Sequence, residues 1–217
     1  MFDHILSILF PEHCRGCNKS GTALCLGCLS GIQGALPIKE GLRSYAFFDY
    51  GNTIVQQAVW ELKYHHKSTV AKVLTVRSIE RLDTYLSSIK KRTGISTIVL
   101  VPIPQHHSKT LSRGFNQSML IARWLHAGLP DTRLQPLLQK NRATEAQART
   151  HNRTEREKNL HQSMSVAVQL EKNILYMLVD DVITTGSTIH EAGRALRAAG
   201  ANHVYAVALA HGYAQRK

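Results

Sequence analysis

Between Val179 and Thr188 the chain reads Val-Asp-Asp-Val-Ile-Thr-Thr-Gly-Ser-Thr, an acid pair followed closely by a hydroxyl-rich turn around one glycine. Adjacent carboxylates cannot hold a phosphate, but they can accept hydrogen bonds from vicinal sugar hydroxyls or help organise magnesium. The turn suits the opposite charge. Thr184, Thr185, Ser187 and Thr188 offer hydroxyls, Gly186 lets the backbone bend, and the open amides of a helix N-terminus favour an anion. Asp180 and Asp181 for ribose hydroxyls beside an amide nest for a 5′-phosphate describe one ligand class, a ribose 5-phosphate. The plainer alternative is an acid pair ahead of an ordinary Ser/Thr helix cap.

A second cluster lies near the N-terminus, where Cys14-Arg-Gly-Cys17 and Cys25-Leu-Gly-Cys28 hold all four cysteines of the chain. Each pair presents two thiolates from a tight turn, and four sulfurs can close a tetrahedron around a structural zinc ion. Two disulfides are the alternative in an oxidising compartment, and redox CxxC chemistry is another. No open coordination position is implied, so the metal is expected to staple a small module rather than catalyse.

These residues need elements to place them. Thr97 to Val101 and Asn173 to Val179 are continuous apolar runs that suit buried parallel strands, with the acid pair expected where the second one ends. Arg43 to Tyr50 and His203 to Leu209 read as further strands, and Ile189 to Ala199 as a helix closed by Gly200. Thr53 to Tyr64, about Ser68 to Lys90, and Ser112 to Ala127 carry helical spacing. Strands alternating with helices predict an open α/β sheet. The glycines and proline between Gly31 and Leu42 read as a linker, dividing a module over 1–42 from a main domain over 43–217.

Composition bounds the function. The 217 residues are 43 % hydrophobic and 19 % charged, which fits a globular chain and argues against a disordered or repeat protein. No apolar run is long enough to span a membrane. The first ten residues lack the basic start and cleavage site of a signal peptide, so the expected location is cytoplasmic. Phe2, Ile5, Leu6, Leu9 and Phe10 form a short apolar face, expected to pack on the main domain or to meet a membrane-associated partner. With 27 Lys and Arg against 15 Asp and Glu, the formal charge of +12 predicts attraction to polyanions. Lys140 to Lys158 is rich in charge and poor in large apolar residues. It reads as a mobile loop, as a solvated face, or as a track for single-stranded nucleic acid along Lys140, Arg149, Arg153, Arg156 and Lys158. Tyr45, Tyr50, Trp60 and Tyr64 are candidates for base stacking, although the helical spacing of Trp60 places it in the core.

The Val179 to Thr188 stretch resembles the phosphoribosyl pyrophosphate (PRPP) fingerprint of the type I phosphoribosyltransferases. Val101-Pro-Ile-Pro104 is similar to the pyrophosphate-loop start of that fold. His106, Lys109 and Arg113-Gly-Phe-Asn-Gln117 resemble the signature of the ComF competence family, phosphoribosyltransferase-like proteins associated with DNA uptake in natural transformation. Tyr50-Gly51, Leu62-Lys63-Tyr64, Arg142, Thr144, Gln147, Arg156 and Asn159 extend the likeness, as does the paired CxxC module. Lys109 stands where arginine is usual, keeping the charge but losing the bidentate fork. Read without the resemblance, Arg113 to Gln117 is equally a helix start, with Phe115 in the core and Asn116 as the cap.

The resemblance implies an open, mostly parallel sheet flanked by helices, with a small N-terminal zinc-binding module. It further implies PRPP or another ribose 5-phosphate held with Mg2+ by Asp180, Asp181 and Thr184 to Thr188, and pyrophosphate met by Lys109, Arg113 and Arg142. Two functions follow as expectations. One is a competence protein that handles incoming single-stranded DNA beside a DNA-uptake channel or competence helicase while keeping the PRPP pocket. The other is an active phosphoribosyltransferase acting on an unknown nitrogen acceptor, for which no acceptor site is evident.

Overall fold

A computed structural model describes residues 12–34, 43–64, 68–105, 114–140 and 163–212. Five parallel strands build the main sheet: β1 (Ser44–Asp49), β2 (Ile98–Pro102), β3 (Thr132–Leu134), β6 (Leu175–Ile183) and β7 (His203–His211), in the order β1-β7-β6-β2-β3. The short strands β4 (Leu138–Lys140) and β5 (Met164–Val166) pair antiparallel as a separate ribbon. Helices are α1 (Leu26–Ser30), α2 (Thr53–Tyr64), α3 (Thr69–Arg77), α4 (Ile79–Thr93), α5 (Gln117–Gly128) and α6 (Ser187–Ala198).

The continuous apolar strands are buried on both faces, as parallel strands covered by helices must be. Along β6, Leu175, Met177 and Val179 join one core with α2 to α5, while Tyr176 and Leu178 join the other with α6 and the ribbon. The architecture is the open, mostly parallel sheet with flanking helices that the resemblance implies, and the four cysteines cluster at its N-terminal end. Cys14, Ala23, Leu24 and Ile32 share the apolar cluster of Phe47, Val55 and Leu62. Arg15 bridges to Glu61 of α2 at 2.8 Å, and Gly34 forms an isolated bridge with Phe48. Residues 12–34 therefore pack directly on the main sheet layer.

Three element boundaries depart from the sequence expectation. The strand carrying the acid pair does not stop at Val179. It runs to Ile183, because β7 continues to pair with it through Asp180 opposite Ala208 and Ile183 opposite His211. The helical run expected over Ser68 to Lys90 is broken at Ser78, whose buried hydroxyl donates to the Leu74 carbonyl at 2.8 Å, as Thr75 does to Ala71. Such back-bonding bends helices. Helix α5 starts at Gln117 rather than Ser112, with Asn116 extended and accepting from the Met119 amide. That is the cap expected of Asn116, and Phe115 packs half-buried against the core.

Candidate functional site

Strand order sets where a ligand crevice is expected. From β2 the chain passes through α5 to β3 on one side, and from β6 it passes through α6 to β7 on the other. The neighbours β2 and β6 thus send their connections in opposite directions, and open α/β sheets bind ligands at such a switch point, at the carboxyl ends of the strands. Strand β2 ends at Pro102, opposite Val179, and among the described residues β6 runs on with its β2 side unpaired. Asp180 and Asp181 are the next two residues.

Both carboxylates are held. Ser118, in the first turn of α5, donates to Asp180 Oδ1 at 3.0 Å, and the Asp181 amide donates to the same oxygen at 2.9 Å. Asp181 Oδ1 accepts from the Val182 amide at 2.7 Å, while its Oδ2 lies 2.9 Å from Lys63 Nζ. Burial above all, then the neighbouring Asp181 carboxylate, pushes the Asp180 carboxyl up to about 7. The Asp180 carboxyl is therefore held toward its neutral form, while Lys63 pairs with Asp181. Asp180 Oδ2 carries no hydrogen bond among the described residues.

Three residues beyond Ile183, where β6 ends, the backbone turns at Gly186, in the left-handed region at φ 73°. A side chain there would be strained, which is why this turn uses glycine. Gly186 is the N-cap of α6 without a side-chain cap, and the Thr185 and Ser187 hydroxyls lie 2.9 Å apart in the exposed turn. Thr184 and Thr185 are exposed, and Thr188 is half-buried. Carboxylates, hydroxyls and the first amides of a twelve-residue helix thus meet at one sheet edge.

Sequence reasoning missed two members of this arrangement. Ser118 is an ordinary residue in a helical stretch, and only the β2–α5–β6 packing carries it to Asp180. Lys63 appears in the sequence only as part of the Leu62-Lys63-Tyr64 likeness, without a partner. Asn116 supports the crevice from the other side, its Nδ2 donating to the Ile103 carbonyl at 2.9 Å. Lys109, Arg113, Arg142, Arg149, Arg153, Arg156 and Lys158 lie outside the described residues, as do Phe2 to Phe10. Lys140 ends β4, paired with Met164.

Trp60 is not in the core. It is 52 % exposed and packs beside Tyr64, 60 % exposed, with ring centroids 6.2 Å apart on one face of α2. The apolar stripe of α2 is Val55, Ala58, Val59 and Leu62, and position 60 falls outside it. Tyr45, by contrast, stacks on Tyr85 at 5.1 Å, and Tyr50 packs half-buried against the core.

The cysteine cluster meets the requirements of a metal centre. The four sulfurs lie within 4.8 Å of one another, Cys17 and Cys25 at 3.6 Å, and all four cysteines are free of disulfides. A tetrahedron with Zn–S bonds of about 2.3 Å has sulfurs about 3.8 Å apart. The amides of Gly16 and Cys25 donate to Cys14 Sγ at 3.4 and 3.3 Å. Backbone hydrogen bonds, that of Cys25 first, hold the Cys14 thiol down at about 6, while its sulfur neighbours, Cys25 first, push Cys28 up to about 12. Four thiols converging on one point are the donor set that a dication binds by displacing their protons. A Cβ at Gly16 would lie 2.5 Å from Cys28 Sγ, so the knuckle closes only with glycine. Zinc held by Cys14, Cys17, Cys25 and Cys28 would staple residues 12–34.

No model of a protein family matches the chain. Among curated proteins it is 28 % identical to competence protein F of Haemophilus influenzae, over 91 % of this chain and 95 % of that protein. It is 30 % identical to the DNA utilization protein YhgH of Escherichia coli (strain K12), over 66 % of this chain and 61 % of that protein. The YhgH protein of Shigella flexneri is 29 % identical over the same shares.

Proposed function

Because the chain belongs to the ComF family of competence proteins, we propose that it acts in natural transformation, handling incoming single-stranded DNA in the cytoplasm and keeping a PRPP pocket. The observation that carries the pocket is the position of Asp180 and Asp181 at the β2/β6 switch point, with the Gly186 turn and the α6 N-terminus beside them. Asp180 Oδ2 accepts from a ribose hydroxyl, and the α6 turn receives the 5′-phosphate through amides and hydroxyls. Magnesium, when bound with PRPP, screens the pyrophosphate beside these acids. Lys109, Arg113 and Arg142 are assigned to the pyrophosphate, by charge and by likeness to the family.

Single-stranded DNA is supported by the net charge of +12 and by the exposed Trp60 and Tyr64 rings, which offer π-faces to bases. Lys140, Arg149, Arg153, Arg156 and Lys158 supply phosphate contacts in this reading, which makes DNA affinity fall steeply with salt. No helix of the described residues is long and apolar enough to cross a membrane. Attachment to an uptake channel or helicase is assigned to protein contacts. Replacing Asp180 and Asp181 together by alanine is expected to abolish PRPP binding in calorimetry with zinc content and DNA affinity retained. Unchanged PRPP affinity would remove the pocket from the account, and DNA affinity independent of salt would remove the basic track.

A further inference from the structure

We propose that the groove between the four-cysteine module and α3 is a docking site for an acidic amphipathic helix of a protein partner. A cavity of about 970 Å³ lies there, floored by Leu24 and Leu26 from the module and by Val73 and Val76 from α3. It continues past Leu26 and Arg77 into a second cavity of about 480 Å³ that reaches Phe48 and Arg81. Leu26 is 67 % exposed and Val76 46 %, two of the five large apolar side chains left open to solvent among the described residues. Exposed aliphatic side chains facing one another across a groove mark an interaction surface rather than scattered surface apolarity.

The rim carries one sign of charge. Lys19 and Lys72 edge the larger cavity, Arg77 stands between the two, and Arg81 edges the smaller. Among the described residues no carboxylate lines either cavity, and none of these four cations makes an ion pair. The Arg81 guanidinium instead lies 6.0 Å from the Phe48 ring. Such a rim selects an acidic partner by complementarity and repels a basic one.

The floor decides between protein and nucleic acid. Single strands seek aromatic faces for their bases. Among the described residues the only ring lining either cavity is Phe48, which is 3 % exposed, whereas the exposed rings of Trp60 and Tyr64 sit on α2 and line neither. An aliphatic trough is what a helix with Leu, Ile or Phe anchors at i, i+3, i+4 and i+7 fills, its acidic flanks meeting the lysines and arginines. The occupant is thus a helix of a partner, and the cysteine module forms one wall of its site.

A display library of random peptides of about four helical turns, selected on the zinc-loaded full chain, tests this. Enriched peptides are expected to be net acidic, with apolar residues at helical spacing. Their affinity is expected to fall about tenfold in Val76→Asp, which wets the floor, and about tenfold in Lys72→Glu/Arg77→Glu, which reverses the rim. The charge-reversed protein should instead enrich basic amphipathic peptides. Lys72, Val76 and Arg77 are exposed, so both variants are expected to keep the zinc stoichiometry and circular dichroism of the parent. No peptide whose binding depends on these positions, or enrichment indifferent to charge, would overturn the proposal. So would an oligo-dT that displaces the peptides and itself loses tenfold in Val76→Asp, because the groove would then be a nucleic-acid surface.

Discussion

Asp180→Asn is expected to stabilise the fold at about pH 8 while removing ribose binding. The native carboxyl is pushed from its ordinary 3.8 to about 7 by burial and by Asp181. Below 3.8 both folded and unfolded chains hold the proton, and the residue costs nothing. Between 3.8 and 7 the native state holds a proton that the unfolded chain has released, so stability falls as pH rises. Above 7 the penalty is complete. At roughly 1.4 kcal/mol for each tenfold change, its ceiling is about 4 kcal/mol. Asp180 is half-buried, and solvent screening of its charge reduces the expected gain to about 2 kcal/mol. Asparagine keeps an oxygen for Ser118 and for the Asp181 amide, so the substitution removes charge without orphaning those donors. Urea unfolding of the zinc-loaded variant and parent should show the full gain near pH 8 and about half of it near pH 5.5. A variant less stable than the parent near pH 8, or a gain of equal size at both pH values, would refute the electrostatic reasoning.

Two other predictions concern the supports of the two sites. Lys63→Met leaves Asp181 without its cation and is expected to cost about 2 kcal/mol near pH 8, mostly recovered when Asp181→Asn is added, as a double-mutant cycle in urea would measure. Gly16→Ala drives a methyl group into Cys28 and is expected to weaken zinc retention roughly 10–100-fold in chelator competition, with the main sheet still folded.

The sequence reveals what repeats or is punctuated, and leaves out what depends on distant partners. Thr97 to Val101 and Asn173 to Val179 are recognisable because burial on both faces demands unbroken apolar runs. The acid pair and the Gly186 turn are recognisable because their residue types are unusual together. The ribbon of β4 and β5 escapes notice because three-residue strands carry no periodicity. The extension of β6 past Val179 depends on β7 beside it, which no local pattern encodes. Ser118 and Lys63 become site residues only when α5 and α2 are laid against β6. Trp60 shows a different limit. Helical spacing alone points it to the core, but its angular position on α2, outside the stripe of Val59 and Leu62, decides its exposure.

The proposed function joins a PRPP pocket to the handling of single-stranded DNA. Calorimetric titration of PRPP with magnesium into the zinc-loaded chain, repeated with single-stranded oligonucleotide already bound, tests it most directly. One site is expected in the first titration, lost in the Asp180 and Asp181 double alanine variant, with a measurable complex with the oligonucleotide under the same buffer. A change in PRPP affinity with DNA present would give the coupling between the two sites, which must be reciprocal. No heat of binding to a folded, zinc-loaded sample would contradict the account, leaving the acid pair and its turn without the ligand assigned to them.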